Sequence, residues 1–303
     1  MRERVVLRQS ERSSLLLARL ASTGTLVLDG ATGTELERRG IECGLPLWSA
    51  HALISDPEEV FDIHRRYVLA GADLLTANTF RTQRRALAQR GRGDEAAQLT
   101  ASAVALARRA AAAANPKRDV FVLGSAPPLE DCYRPDRVPD TAALVVEHGE
   151  HAANLRAADV DAILIETMNT VREARVAAGA ASETGLPTLV SFVCGDDARL
   201  LSGEPLAEAI RAVSAARPVC VLVNCVPPSR VPACIEVLRA IAPCFGVYAN
   251  LGQPVSGPRR NEDRSPSQFA DLAREWIQSG AKIVGGCCGT TPEHIAALDA
   301  STS

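Results

Sequence analysis

The sequence is poor in aromatic residues and has no excess of charge. Tryptophan, tyrosine and phenylalanine make up 4% of the 303 residues, too few for a stacking platform that would bind single-stranded nucleic acid. Thirty-three basic residues against 36 acidic ones leave a formal net charge of −3, so no basic field points to nucleic acid or to an anionic lipid surface. No stretch reaches the roughly 18 consecutive apolar residues of a membrane span. Residues 1–22, MRERVVLRQSERSSLLLARLAS, hold only a short apolar patch broken by Arg19. They read as an N-terminal extension or helix, not as a signal peptide or an anchor. The expected location is cytoplasmic and reducing. The nine cysteines are an odd number without an export signal, which excludes a disulfide framework. Cys43, Cys132, Cys194, Cys220, Cys234 and Cys244 read as small buried hydrophobes. A GxGxxG fingerprint is also missing after the first strand, where DGATGTEL stands instead. That argues against a doubly wound open sheet, the alternative architecture.

Strand-length apolar runs alternate with amphipathic stretches. The strands are expected at 25–30 (TLVLDG), 72–78 (ADLLTAN), 120–125 (VFVLGS), 161–167 (DAILIET), 188–194 (TLVSFVC), 219–225 (VCVLVNC), 245–251 (FGVYANL) and 282–288 (KIVGGCC). They are β-branched and apolar on both faces, as in a covered parallel sheet. Helical signals lie between them. DPEEVFDIHRRYVLAG has Asp56 as N-cap, Pro57 in the first helical position, and Val60, Ile63 and Tyr67 on one face. The last helix is expected to start at Thr291-Pro292. Eight such alternations predict a single-domain α/β fold, a (β/α)8 TIM barrel over residues 23–300. Two long loops, 127–140 and 252–266, follow strand C-termini, where such barrels carry their sites.

The strand ends deliver Asp29, Asn78 and Thr79, Glu166 and Thr167, Asn224 and Cys225, Asn250, and Cys287 and Cys288. Only one strand separates the sixth from the eighth, so Cys225, Cys287 and Cys288 are expected to meet at the barrel mouth. Three thiolates and an open fourth position describe a catalytic zinc site, one Zn²⁺ per chain. Adjacent strand residues point to opposite faces, so the backbone has to leave strand geometry at the vicinal pair; Gly285, Gly286 and Gly289 allow it. Three thiolates leave the site at −1, a poor setting for activating water. It suits a substrate thiol, whose pKa the ion lowers while its sulfur stays nucleophilic. The chemistry expected is group transfer to a thiol. A strained vicinal disulfide, a closed structural zinc completed by Cys194 or His294, a Glu166–arginine pair and a plain turn role for Asp29 stay open as alternatives.

LDGATGTEL (28–36), LWSA (47–50), IHRRYVLAGADLLTANTF (63–80), ILIET (163–167), VNC (223–225) and GGCCGTTPEHI (285–295) occur in this order along nearly the whole chain. Together they resemble the homocysteine S-methyltransferase family. The resemblance implies a (β/α)8 barrel, a zinc on Cys225, Cys287 and Cys288, and homocysteine as methyl acceptor. It implies that Asp29 and Glu166 hold the homocysteine amino group, with Asn78 and Thr79 lining the pocket. LWSA is similar to the branch that uses S-methylmethionine or S-adenosylmethionine as donor, rather than betaine. Two loops depart from that branch: GSAPPLEDCYRP after the third strand and NLGQP after the seventh. Glu130 and Asp131 in the first of them could face a cation or be solvated. A betaine-dependent enzyme, a methyltransferase for selenocysteine or another thiol, and a non-catalytic zinc-binding barrel are the competing readings.

Overall fold

The computed structural model describes residues 7–114, 116–253, 260–261 and 264–302. Each of the eight expected strand segments forms a strand: β1 Leu26–Val27, β2 Leu74–Ala77, β3 Phe121–Ala126, β4 Ala162–Met168, β5 Thr188–Phe192, β6 Cys220–Asn224 and β7 Phe245–Ala249, then β10 Ile283–Gly286. Between the last two, β8 Gly252–Gln253 and β9 Arg260–Asn261 form a small antiparallel ribbon. It occupies part of the expected 252–266 loop; residues 254–259 and 262–263 of that loop lie outside the described residues. The helices are α1 Gln9–Ala21, α2 Thr32–Arg38, α3 Ala52–Ser55, α4 Pro57–Leu69, α5 Arg84–Ala88, α6 Ala96–Ala114, α7 Thr141–Ala157, α8 Val171–Glu183, α9 Leu206–Val213, α10 Val231–Ile241, α11 Pro266–Gln278 and α12 Pro292–Thr302. Their starts follow local chemistry. Pro57 and Pro266 sit in first turns, Asp140 accepts the Ala143 N–H, and Ser265 and Gln268 form a capping box.

All the pairings in the eight-stranded sheet are parallel, in the order β1-β10-β7-β6-β5-β4-β3-β2. A bridge between Leu28 and Leu74 joins the two edges, and the N–H of Asp29 donates to the Leu74 carbonyl at 2.9 Å. This is a closed (β/α)8 barrel in one domain. β1 is shorter than expected because side chains take over its pairing. Asp73 accepts the Val27 N–H at 2.9 Å, and Asp29 accepts the Thr76 N–H at 2.8 Å. Asp161 does the same for β3, accepting the Val122 N–H at 2.7 Å while Arg12 and Arg108 neutralise it at 2.6 and 2.7 Å.

Two apolar layers result from the period-two alternation of the strands. The outer one lies between sheet and helices and includes Val122, Ile163, Val190 and Val247. The inner one fills the barrel with Leu26, Leu74, Phe121, Leu164, Leu189, Leu222 and Ile283, among others. Leu16 of α1, fully buried, belongs to this inner layer. Helix α1 therefore closes one end of the barrel, and the Ser13 hydroxyl fixes it by donating to the Asp161 carbonyl at 2.8 Å. Asp161 opens β4, so this is the N-terminal end, opposite the strand C-termini. Among the described residues, no helix is long and apolar enough to cross a membrane.

Candidate active site

The inward-facing column of each strand changes chemistry near its C-terminal end. Leu123 is followed two residues on by Ser125, Leu164 by Glu166, Leu189 by Ser191 and Leu222 by Asn224, all of them buried. Ile283 is followed by Gly285 and then Cys287. The apolar filling thus gives way to a polar layer at the barrel mouth.

Three thiols meet there. Cys225 Sγ lies 2.7 Å from Cys287 Sγ and 3.9 Å from Cys288 Sγ. Among the described residues, they are the one group of metal-capable side chains whose ligand atoms all fall within 4.8 Å of one another. All nine cysteines are free thiols. β10 stops at Gly286, two residues before the end expected from the sequence, and the vicinal pair lies in a turn. That turn is tied down from both sides. The Cys287 N–H donates to the Ala249 carbonyl, the Leu251 N–H to the Cys288 carbonyl, and the Gly289 N–H to Thr34 Oγ1. Of the three glycines, Gly289 supplies the left-handed backbone, with φ +91°. Gly285 and Gly286 serve differently. A Cβ on Gly285 would sit 2.7 Å from Leu28 Cβ, and one on Gly286 would meet the Thr290 side chain. They allow close packing within the strand, not a departure from it.

Cys225 is itself left-handed, at φ +53°, as is Thr167 at +59°. Neither residue type favours that region. Asn224, the residue before Cys225, holds Thr167 in place: its Oδ1 accepts the Thr167 N–H at 3.0 Å and the Ser191 hydroxyl at 2.6 Å, and its Nδ2 donates to Thr167 Oγ1 at 3.0 Å. The contacts of Cys225 with Cys287 and Cys288, together with burial, push its thiol pKa well up. An ion entering the cluster therefore displaces protons. The donor set fits a soft or borderline ion such as zinc. Zinc bound tetrahedrally at about 2.3 Å from each sulfur separates its ligands by about 3.8 Å. The Cys225–Cys288 pair already has that spacing, and Cys287 has to move out by about 1 Å. The residues considered for closing the shell are engaged elsewhere. His294 contacts Thr291 Oγ1 through Nδ1 and the Arg264 carbonyl through Nε2. Cys194 shares its thiol hydrogen bond with Cys234. No fourth Cys, His or carboxylate joins the cluster among the described residues.

Two buried carboxylates, Glu166 on β4 and Asp29 after β1, belong to the same end of the barrel. Glu166 is 7% exposed. It accepts the Ser125 hydroxyl on Oε1 and the Tyr248 hydroxyl on Oε2, the latter at 3.1 Å. Burial pushes its pKa up to about 7, against the pull of these two donors; the Cys288 charge adds to the rise. Neither of these partners is an arginine. Asp29 is buried within charge range of Glu166, and burial raises its pKa as well. One of its oxygens is engaged by the Thr76 N–H. Asn78 and Thr79 are committed to the protein. Asn78 exchanges hydrogen bonds with Ser49 of the LWSA segment at 2.6 and 2.9 Å, and Thr79 donates to the Ser125 carbonyl at 2.9 Å. Glu130 is paired with Arg85 at 3.0 Å, and Asp131 accepts the Tyr133 N–H at 3.0 Å. Ser125, Ser191 and Tyr248 do not stand out in the sequence. The available signal was position: counting in twos along each strand puts them on the inward face beside Glu166 and Asn224. Asn250, after β7, is fully buried with both amide atoms unpartnered.

Comparison with known proteins places this geometry. The family model described as homocysteine S-methyltransferase matches residues 26–302. The homocysteine S-methyltransferase of Escherichia coli is 32% identical, over 94% of this chain and 97% of its own. The selenocysteine methyltransferase of Astragalus bisulcatus is 26% identical, over 89% and 90%. Among solved structures, the metallated form of the homocysteine methyltransferase MmuM from Escherichia coli superposes with a TM-score of 0.82 at 30% identity, covering 93% of this chain and 98% of that one. With the fold, the ordered motifs and this match over nearly its whole length, the chain belongs to the homocysteine S-methyltransferase family.

Proposed function

We propose that the protein methylates the thiol of L-homocysteine to give methionine, with zinc held by Cys225, Cys287 and Cys288 and a small sulfonium, S-methylmethionine or S-adenosylmethionine, as the methyl donor. The observation that carries the reading is the trithiol cluster at the barrel mouth, with no fourth protein ligand among the described residues and with a buried Glu166 nearby. Bound there, zinc supplies the charge that keeps an incoming thiol deprotonated near neutral pH. The chain's own groups do the rest. Asn224 ties the end of β6 to Thr167, and the bonds to Ala249, Leu251 and Thr34 fix the Cys287–Cys288 turn. Ser125 and Tyr248 orient the Glu166 carboxylate toward the amino group of the substrate, with Asp29 beside it. The homocysteine sulfur attacks the methyl carbon, a new S–C bond forms, and the donor's S–CH3 bond breaks. Its electron pair stays on the leaving sulfur, which departs as a neutral thioether. Both reacting charges disappear, so a site drier than water favours the step.

The test is incubation of zinc-loaded protein with homocysteine and each candidate donor, with methionine as the readout. S-methylmethionine is expected to outperform betaine; a preference for betaine, or no methionine from any sulfonium, overturns the reading. A second measurement addresses activation of the thiol. Calorimetry of homocysteine binding at pH 7, in buffers of different ionisation enthalpy, should show release of about one proton, because the free thiol has a pKa of roughly 8.5. A heat independent of buffer would mean that the thiol binds in its protonated form.

A further inference from the structure

The loop between β3 and α7 leans across the barrel mouth, and residues that follow β4 hold it there. Glu173 accepts the Leu129 N–H at 2.8 Å, Asn169 Nδ2 donates to the Cys132 carbonyl at 2.9 Å, and Arg172 donates to the Pro139 carbonyl at 2.6 Å. This is also where the sequence departs from the pattern of its family branch. The segment so fixed carries Tyr133, one of three tyrosines in the chain. Its half-buried ring packs against the outer apolar layer of the barrel. Its hydroxyl is buried within charge range of Cys225, Cys288 and Cys287. The two acidic side chains nearby have other partners: Arg85 holds Glu130, and Asp131 caps the Tyr133 backbone. Of these three side chains, Tyr133 is the one within charge range of the thiols without a carboxylate of its own.

A sulfonium centre is a cation with no proton to donate, so hydrogen-bond acceptors serve it poorly. The negative face of an aromatic ring attracts it directly. We propose that the ring of Tyr133 is a donor-binding surface, on which the methylsulfonium centre docks beside the three thiols. This rests on the sulfonium-dependent reading above and adds to it the residue that recognises the positive charge.

The experiment compares two ligands of the zinc-loaded protein, S-methylmethionine and its uncharged carbon isostere, 2-amino-5-methylhexanoate. Affinities are measured for wild type, Tyr133→Phe, Tyr133→Leu and Tyr133→pentafluorophenylalanine. The fluorinated ring keeps the shape but loses the negative face, so it reports even where Tyr133→Leu fails to fold. Tyr133→Phe should retain affinity for both ligands. The leucine and fluorinated variants should lose about tenfold for the sulfonium and less than twofold for the isostere. Equal weakening for both ligands would assign the ring to loop packing, and unchanged sulfonium affinity would remove it from the site; either overturns the proposal. Methionine formation by the wild type is followed in parallel. Its absence removes the donor reading as a whole, whereas turnover with ring-independent affinity removes Tyr133 alone.

Discussion

Cys287→Ser is expected to fold normally, to lose its metal, and to lose methyl transfer by roughly a thousandfold or more. A hydroxyl at this position does not ionise near neutral pH and is a hard donor, so the remaining two thiols form half a tetrahedral shell. The barrel is expected not to depend on the ion, because the cluster sits outside the strands and its turn is held by hydrogen bonds to the Ala249 and Leu251 main chain and to the Thr34 hydroxyl. Circular dichroism should therefore match wild type, while metal content and rate fall together. The several kcal/mol of activation that go with the ion set the scale of the loss. Cys132→Ser is the control: Cys132 is buried near the site but lies outside the cluster, and it should keep its metal. Full zinc occupancy in a Cys225→Ser, Cys287→Ser, Cys288→Ser triple variant would sink the assignment.

Glu166→Gln is expected to keep the metal and to weaken homocysteine binding by about 2–4 kcal/mol, the usual cost of leaving one member of a desolvated charge pair alone. The ion grips sulfur and reads nothing of the amino acid end. An ammonium in this buried layer needs a carboxylate, and Glu166 is already oriented by Ser125 and Tyr248. The comparison ligand is 4-mercaptobutanoate, which lacks the amino group and should bind both proteins alike. A pH titration adds a second check. The Glu166 pKa is raised to about 7, so its charged form prevails above that pH and is lost below it. The advantage of homocysteine over 4-mercaptobutanoate should shrink as pH falls through about 7 in wild type and stay flat in Glu166→Gln. Wild-type affinity in the variant, or loss of its metal, would give the carboxylate a different role.

The architecture was legible because parallel strands covered on both faces read as apolar runs, and each of the eight runs contains a strand. Their ends were less legible. β1 ends at Val27 because the Asp29 and Asp73 side chains take main-chain N–H groups that a longer strand would have paired. β10 ends at Gly286 because the following turn is pulled toward β7 and α2. The three cysteines stood out by residue type and by their place at the ends of two strands with only β7 between them. Ser125, Ser191 and Tyr248 did not, since such residues occur in any strand and only their inward direction gives them a function. The left-handed backbones of Thr167 and Cys225 could not be read at all. That of Thr167 depends on the side chain of Asn224, which bonds to it across 57 residues of sequence. Tyr133 escaped notice for a similar reason, because Asn169, Arg172 and Glu173 decide where its loop lies.

The helix that closes the N-terminal end of the barrel has a consequence for synthesis. α1 is among the first parts of the described chain to be made, yet the Ser13 hydroxyl bonds to Asp161, 148 residues later, and the strand that pairs with β1 is β10. At roughly 5–20 residues per second, about 7–30 s pass before the Asp161 partner exists, and longer before the barrel closes. Through that interval the apolar side of α1 that carries Leu16 has no native surface to cover it. Arg8, Gln9, Ser10, Glu11 and Arg12 make the start of the helix polar. Loop closure over such a span is entropically slow, so α1 docks late in folding although it comes early in the chain.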